Sequence, residues 1–349
     1  MLNAYTYTQR IVALSAILVM SILVLLSIAK RDLVTVLERQ GMPQKHLTAV
    51  SEPLWMGEMD MTIGEQSAFW EPPPELQAHA YVVKVVGEEL PLLKQREWKH
   101  VAPASLTKIL TVLVAREELE EIVWLSVSED AKKTEAKTSP LETREFVTVE
   151  DMMRLALIGS YNDTARALAE AVGKKYGGQT FEDRMRIFRE RMNEKARMIG
   201  LANSSFANAT GLDEEGHFST AEDLARLAEY VRSNHQKVWE ISRTLETKVY
   251  TDTGREISVA STNDLLKEFP AIIGGKTGFT DNAGESLLLL YPVRSKSPSA
   301  TADSPEAKRT SDGVYHLHPN KTAVIVILGS NDRFGDGRKI IHWLESTKE

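Results

Sequence analysis

Helical patterns fill the middle of this chain, while dense apolar runs of strand length stand towards both ends of its globular part. That arrangement constrains the fold more than any other feature. Residues 79–86 are rich in β-branched side chains and read as a first strand, with residues 88–93 after Gly87 as its hairpin partner. Residues 286–293 and 322–328 are apolar almost throughout, the pattern of strands covered on both faces. Such runs cannot bury their surface alone, so N- and C-terminal segments must meet in one sheet. The expected class is α+β, a central sheet flanked by helices.

The intervening helices announce themselves by period and caps. One should begin near Pro103, which suits a first helical turn, and carries the stripe Ile109, Leu110, Leu113 and Val114. Thr148 with Asp151 three residues on forms a capping box for a helix to Ile158, before Gly159. Another runs from Asn162 or Asp163 to about Val172, and a charged amphipathic one covers 181–199 before Gly200. Ser219 with Glu222 marks a further start, and residues 338–345 close the chain as a short helix. Residues 294–310 are rich in Ser, Pro, Ala and charge; they read as a long hairpin excursion with no assigned function.

The N-terminus differs in kind. Residues 11–29 carry no charge, with Arg10 before them and Lys30 and Arg31 after, and are long enough to cross a bilayer as a helix. Ser27 and Ala29 are small enough to precede a signal-cleavage point, but the run exceeds a usual signal core, so an uncleaved anchor is expected. Flanking charges give no support for an outward-facing domain. Three prolines, Pro72, Pro73 and Pro74, end a stretch without sustained periodicity and read as a stiff spacer. The expected organisation is therefore an anchor or signal at 1–31, a linker at 32–75 and a catalytic domain at 76–349. A net charge of −7 argues against nucleic acid as a partner. The absence of cysteine excludes disulfides, thiol catalysis and zinc–thiolate sites.

Three short segments carry chemistry: Ser105-Leu106-Thr107-Lys108, Ser160-Tyr161-Asn162 and Lys276-Thr277-Gly278. Each alone is commonplace; their order and contexts match the signature of penicillin-binding proteins and serine β-lactamases. Residues three apart on a helix share a face, so the Ser105 hydroxyl and the Lys108 amine can meet. A serine needs a neighbouring base to become nucleophilic. Lys108 can serve if burial or a second cation keeps it neutral, and Lys276 is the expected second cation. Gly159 and the helix after it place Ser160 and Asn162 in a tight turn facing one cleft. Ser160 would relay a proton to the leaving amine, and Asn162 would hold the substrate's backbone amide. Lys276-Thr277-Gly278 reads as the end of a strand on which Gly278 permits close backbone approach, with Lys276 and Thr277 offered to a substrate carboxylate.

With these segments quoted, the chain resembles the serine-type D-alanyl-D-alanine carboxypeptidases among the low-molecular-mass penicillin-binding proteins. The resemblance takes in residues 103–108, 159–165 and 275–280. It continues through Met192-Asn193, Gly200-Leu201, Phe206, Asn208, Gly211-Leu212 and His217-Phe218-Ser219-Thr220-Ala221, and covers roughly residues 80–343. It implies a β-lactamase/transpeptidase-like fold, with a central antiparallel sheet flanked by helices and a mostly helical subdomain. It implies Ser105 as acylated nucleophile, Lys108 as general base, and Ser160, Asn162 and Lys276 completing the site. Thr277, Gly278 and Phe279 would join Lys276 in binding substrate, and the N–H groups of Ser105 and Phe279 would form the oxyanion hole. It gives His217 a structural role, and the chemistry uses no metal and no cofactor. The partners implied are peptidoglycan stem peptides ending in D-Ala-D-Ala, β-lactams as inhibitors and, through the N-terminal helix, the bacterial cytoplasmic membrane, with the domain on its extracytoplasmic side.

Many relatives carry a second, β-rich domain and a C-terminal amphipathic anchor, whereas here anchoring would fall to the N-terminal span. Among rivals, a D,D-endopeptidase would use the same residues. A class A-like β-lactamase would need a glutamate water activator; Glu194 lies in the right interval, but Met198 stands where its partner asparagine should be. A metallopeptidase has only His316 and His318, flanking Leu317, to offer. A non-catalytic scaffold would not be expected to keep Ser105, Lys108, Ser160 and Lys276 together.

Overall fold

The computed structural model describes residues 72–88, 90–293 and 321–346; the expected membrane span, most of the linker, the 294–310 excursion, His316 and His318 fall outside them. Among the described residues no helix is long and apolar enough to cross a membrane.

The strands in chain order are β1 Ala80–Val85, β2 Leu93–Gln95, β3 Trp124–Ser126, β4 Phe146–Thr148, β5 Glu246–Tyr250, β6 Glu256–Ala260, β7 Gly274–Thr280, β8 Gly284–Pro292 and β9 Thr322–Ser330. The helices are α1 Thr107–Glu118, α2 Glu129–Lys132, α3 Val149–Leu157, α4 Asn162–Lys175, α5 Phe181–Ile199, α6 Ala221–Asn234, α7 Gln236–Ser242, α8 Leu265–Glu268 and α9 Arg333–Glu345. Five strands form one antiparallel sheet in the order β2-β1-β9-β8-β7. N- and C-terminal segments do meet: β1 pairs with β9 from Ala80↔Leu328 to Val85↔Ala323.

Alternation along the two central strands explains their unbroken apolar sequence. Leu288 and Leu290 of β8, with Val324, Val326 and Leu328 of β9, face a core shared with α1, α3, α4 and α6. Leu287, Leu289, Ala323, Ile325 and Ile327 face the opposite way, against Leu265, Ile340, Ile341 and Trp343 from α8 and α9. A sheet buried on both faces needs apolar side chains at every position.

Local chemistry sets the helix ends. The hydroxyls of Thr148, Thr180 and Thr220 accept N–H bonds from Asp151, Asp183 and Asp223 at 3.1, 3.1 and 3.0 Å. Gly200 ends α5 in the left-handed conformation, φ +87°. Three expectations shift. The partner of β1 lies at Leu93–Gln95 rather than 88–93, because Pro91 has no N–H to give a ladder. The α6 cap is Thr220 rather than Ser219, whose backbone is engaged with Val101 in a reciprocal pair of 2.9 Å bonds. Residues 276–278 sit in the middle of β7 rather than at a strand end. Among the described residues β7 is the edge of the sheet, paired with β8 alone of the strands, and beyond Gly275, whose N–H donates to the Ser242 Oγ at 3.1 Å, its outer side can receive another chain.

Candidate active site

Ser105 lies in a 3-10 turn, Ala104–Leu106, that leads directly into α1. Ala104 has φ +47°, a left-handed conformation that costs a residue with a Cβ about 1–3 kcal/mol. Two glycines brace the turn. A Cβ on Gly211 would stand 1.8 Å from the Ala104 carbonyl oxygen, and one on Gly278 would stand 2.9 Å from the Ala104 Cβ and 3.1 Å from the Ser105 nitrogen. The backbone of β7 thus passes against the nucleophile's own peptide, the close approach expected of Gly278.

One helical turn on, Lys108 has 0% of its surface exposed. Its Nζ is 2.7 Å from the Ser105 Oγ, 2.7 Å from the Asn162 Oδ1 and 2.8 Å from the Thr210 carbonyl oxygen. Burial pushes its pKa down from 10.5 to about 7; the Asp163 carboxylate opposes this and the Lys137 ammonium adds to it. A large fraction of the amine is therefore neutral near pH 7 and can take the serine proton. Lys137 is a further cation acting on Lys108, and Lys108 and Lys276, the second cation the sequence suggests, disfavour each other's charge.

Ser160 occupies the turn between α3 and α4 with φ +58°, again left-handed. Its Oγ accepts from Lys276 Nζ at 2.7 Å, and the same ammonium donates to the Thr277 carbonyl at 2.9 Å. Lys276 is 1% exposed, and its pKa is pushed well down by burial and by the charges of Lys108, Arg333 and Lys137. The Thr277 hydroxyl is 2.6 Å from that of Thr262.

Asn162 has contacts that the sequence does not show. It is buried, its Oδ1 accepts from Lys108, and its Nδ2 donates to the Glu135 carbonyl at 2.9 Å. The amide thus holds Lys108 and the 133–139 loop, and Nδ2 has a second hydrogen to donate. Its N–H also donates to the Lys137 carbonyl at 2.9 Å. Asp163 secures the same loop, accepting from Ser139 N at 2.9 Å, Ser139 Oγ at 2.7 Å and Lys132 Nζ at 2.7 Å.

Beyond Gly278, the Phe279 side chain is 59% exposed on the edge strand. Arg333, the first residue of α9, donates from Nη1 to the Gly278 carbonyl at 2.9 Å. His217 is a brace. Its Nδ1 accepts from Ala207 N at 2.9 Å, so the proton sits on Nε2, which donates to the Thr107 hydroxyl at 2.9 Å. Burial lowers its pKa to about 4.

The structure thus brings the expected site residues together as two hydrogen-bonded groups, Ser105–Lys108–Asn162 and Ser160–Lys276–Thr277, coupled through the two lysines, with Gly278 in contact with the Ser105 turn and Phe279 at the rim. Glu194 is elsewhere occupied: it is exposed and paired with Arg191 along the same helix at 3.3 Å. Sequence reasoning missed the Thr210 carbonyl, Lys137, Asp163, Thr262 and Arg333. Only Asp163 carried a signal, its place beside Asn162; a backbone carbonyl and a lysine in a charged stretch carry none.

A model of a family described as D-alanyl-D-alanine carboxypeptidase matches residues 67–291. D-alanyl-D-alanine carboxypeptidase DacF of Bacillus subtilis is 35% identical over 191 residues, covering 53% of this chain and 46% of that protein. A D-alanyl-D-alanine endopeptidase of Pseudomonas aeruginosa is 26% identical over 248 residues, covering 70% and 69%. The crystal structure of the Streptomyces K15 DD-transpeptidase superposes with a TM-score of 0.64 at 24% identity, covering 78% of this chain and 98% of that one. The chain spans about half the length of the first curated carboxypeptidases it matches.

Proposed function

Because this chain belongs to the D-alanyl-D-alanine carboxypeptidase family, we propose that it is a serine peptidase that removes the terminal D-alanine from peptidoglycan stem peptides. The observation that carries the reading is the 2.7 Å contact between the Ser105 Oγ and a wholly buried Lys108 whose pKa lies at about 7. A lysine so placed takes the hydroxyl proton as the oxygen attacks the carbonyl of the penultimate D-alanine. The tetrahedral oxyanion is received by the N–H groups of Ser105 and Phe279. Ser160, bonded to Lys276, gives its hydroxyl proton to the departing amine as the C–N bond breaks to leave an ester on Ser105, and the proton that Lys108 took from Ser105 returns to Ser160, so that Lys108 is again neutral. D-alanine diffuses away, water enters, and Lys108 activates it to hydrolyse the ester. Lys276 and Thr277 hold the C-terminal carboxylate while the peptide lies along the free edge of β7. A β-lactam offers the same carboxylate and a strained amide, so it acylates Ser105 and inhibits the enzyme.

Residues 11–29 would hold the chain in the bacterial cytoplasmic membrane with the catalytic domain outside, where its substrate lies. Protease added to intact spheroplasts should then degrade the domain; full protection would contradict that topology. The activity is tested by giving the full chain a pentapeptide ending in D-Ala-D-Ala and, in parallel, a cross-linked peptide dimer. Free D-alanine from the pentapeptide, absent in Ser105→Ala, is expected. Cleavage of the dimer alone would make it a D,D-endopeptidase, the second reading, which the Pseudomonas aeruginosa relative favours.

A further inference from the structure

Among the described residues, one exposed cation stands at the site without a counter-ion. Lys137 is exposed on the 133–139 loop, its Nζ 5.0 Å from the centre of the Tyr161 ring. Among the described residues no carboxylate pairs with it: desolvation lowers its pKa and no acid opposes that. Its backbone is nevertheless fixed. The Lys137 and Glu135 carbonyls accept from the Asn162 N–H and Nδ2, both at 2.9 Å, and Asp163 grips Ser139 and Lys132.

Its position relative to the reacting groups follows from the bonds of its loop, since its carbonyl accepts from the N–H of Asn162, whose side-chain oxygen accepts from Lys108. Lys137 acts on both Lys108 and Lys276, whereas Arg333 acts on Lys276. Arg333 stands beside Gly278 and Lys137 beside Asn162, so the two cations flank the lysine pair from different ends. With the leaving D-alanine's carboxylate at Lys276 and Thr277, the acyl half of the peptide continues towards Asn162 and its loop. Contacts of 2.7, 2.7 and 2.9 Å lead from Ser105 through Lys108 and Asn162 to the Lys137 backbone. Two residues of extended peptide cover a comparable distance, about 7 Å. A fixed cation that repels two buried amines lowers the energy of the site only when an anion joins it.

We propose that Lys137, braced on Tyr161, forms a subsite for a carboxylate on the residue preceding the D-Ala-D-Ala pair. The inference rests on the peptidase reading and narrows its substrate to stem peptides with a free side-chain acid at that residue. The probes are two acetylated tripeptides, Glu-D-Ala-D-Ala and its uncharged counterpart Gln-D-Ala-D-Ala, given to the full chain in detergent with D-alanine release measured. The acidic peptide should show a kcat/KM about fivefold to tenfold higher, between an exposed ion pair and a shielded charge-assisted bond. The ratio should fall to one in Lys137→Gln, survive in Lys137→Arg and shrink as salt is raised. Equal cleavage of both peptides, or a preference that persists in Lys137→Gln, overturns the subsite and leaves the peptidase standing. Because Lys137 also lowers the Lys108 pKa, both peptides should slow in Lys137→Gln with the rate limb moved to higher pH; slowing by the same factor, which keeps their ratio, overturns the subsite and leaves Lys137 only its effect on Lys108. Cleavage of neither peptide removes the peptidase reading and the subsite together.

Discussion

Replacing Asn162 by Asp tests whether Lys108 works as a neutral base. At an ordinary 10.5, roughly one lysine in 3,000 would be neutral at pH 7, and the burial that brings Lys108 to about 7 raises that to about half. Asn162→Asp sets a carboxylate where the amide oxygen now lies, 2.7 Å from the Lys108 Nζ. An anion at that range favours the ammonium and lifts a lysine by about one to three pH units. At pH 7 the neutral fraction, and with it the acylation rate, should fall about tenfold to a thousandfold. The deficit should narrow as pH rises past 9, because the variant's amine is then also losing its proton. The assay is the rate of labelling by a fluorescent penicillin from pH 5 to 10. Wild type should show a rising limb near pH 7, and the variant the same limb displaced upward. Asn162→Ala, which also cuts the tie to Glu135 but adds no charge, controls for loss of the loop. A limb that stays near pH 7 in Asn162→Asp, or a loss equal at every pH, would refute the base assignment.

Lys108→Arg keeps the charge but cannot shed its proton, so acylation should drop at least about a hundredfold in stopped-flow labelling. Gly211→Ala places a Cβ 1.8 Å from the Ala104 oxygen at a residue with φ +87°; displacing the nucleophile's turn by about 1 Å should cost roughly a hundredfold in acylation, and unchanged kinetics would deny that contact. His217, at about 4 when folded against 6.5 when free, contributes stability that is complete above pH 6.5 and is lost as pH falls towards 4. Urea unfolding should register a decline of about 3 kcal/mol over that window, absent in His217→Gln.

Where the sequence was legible, one physical rule fixed the local answer. The both-faces-buried strands showed as unbroken apolar runs, and Thr148 and Gly200 wrote the helix ends. The three segments pointed to residues that the fold brings together, the first because helix geometry alone sets Ser105 beside Lys108. What stayed hidden depended on contacts distant in sequence. The short pairs β3–β4 and β5–β6 carry too few apolar positions to register. Asn162 has the same residue type whatever it touches, and only the folded chain shows its bonds to Lys108 and to the Glu135 carbonyl. Lys137 gains its influence from a loop closed by Asp163, 26 residues away by number, which no local pattern records.

The central claim, that Ser105 is the nucleophile of a peptidase and not of a β-lactamase, is tested most directly by mass spectrometry after incubation with penicillin. When a peptide is cut, D-alanine departs and opens a path for water; when penicillin is opened, the former leaving group stays tethered and blocks it. Fast release would need a second water activator, and the exposed, ion-paired Glu194 does not stand at the site. One penicillin per chain should therefore persist on the proteolytic fragment containing Ser105. Rapid turnover of penicillin without any adduct, or an adduct on another residue, would contradict the account.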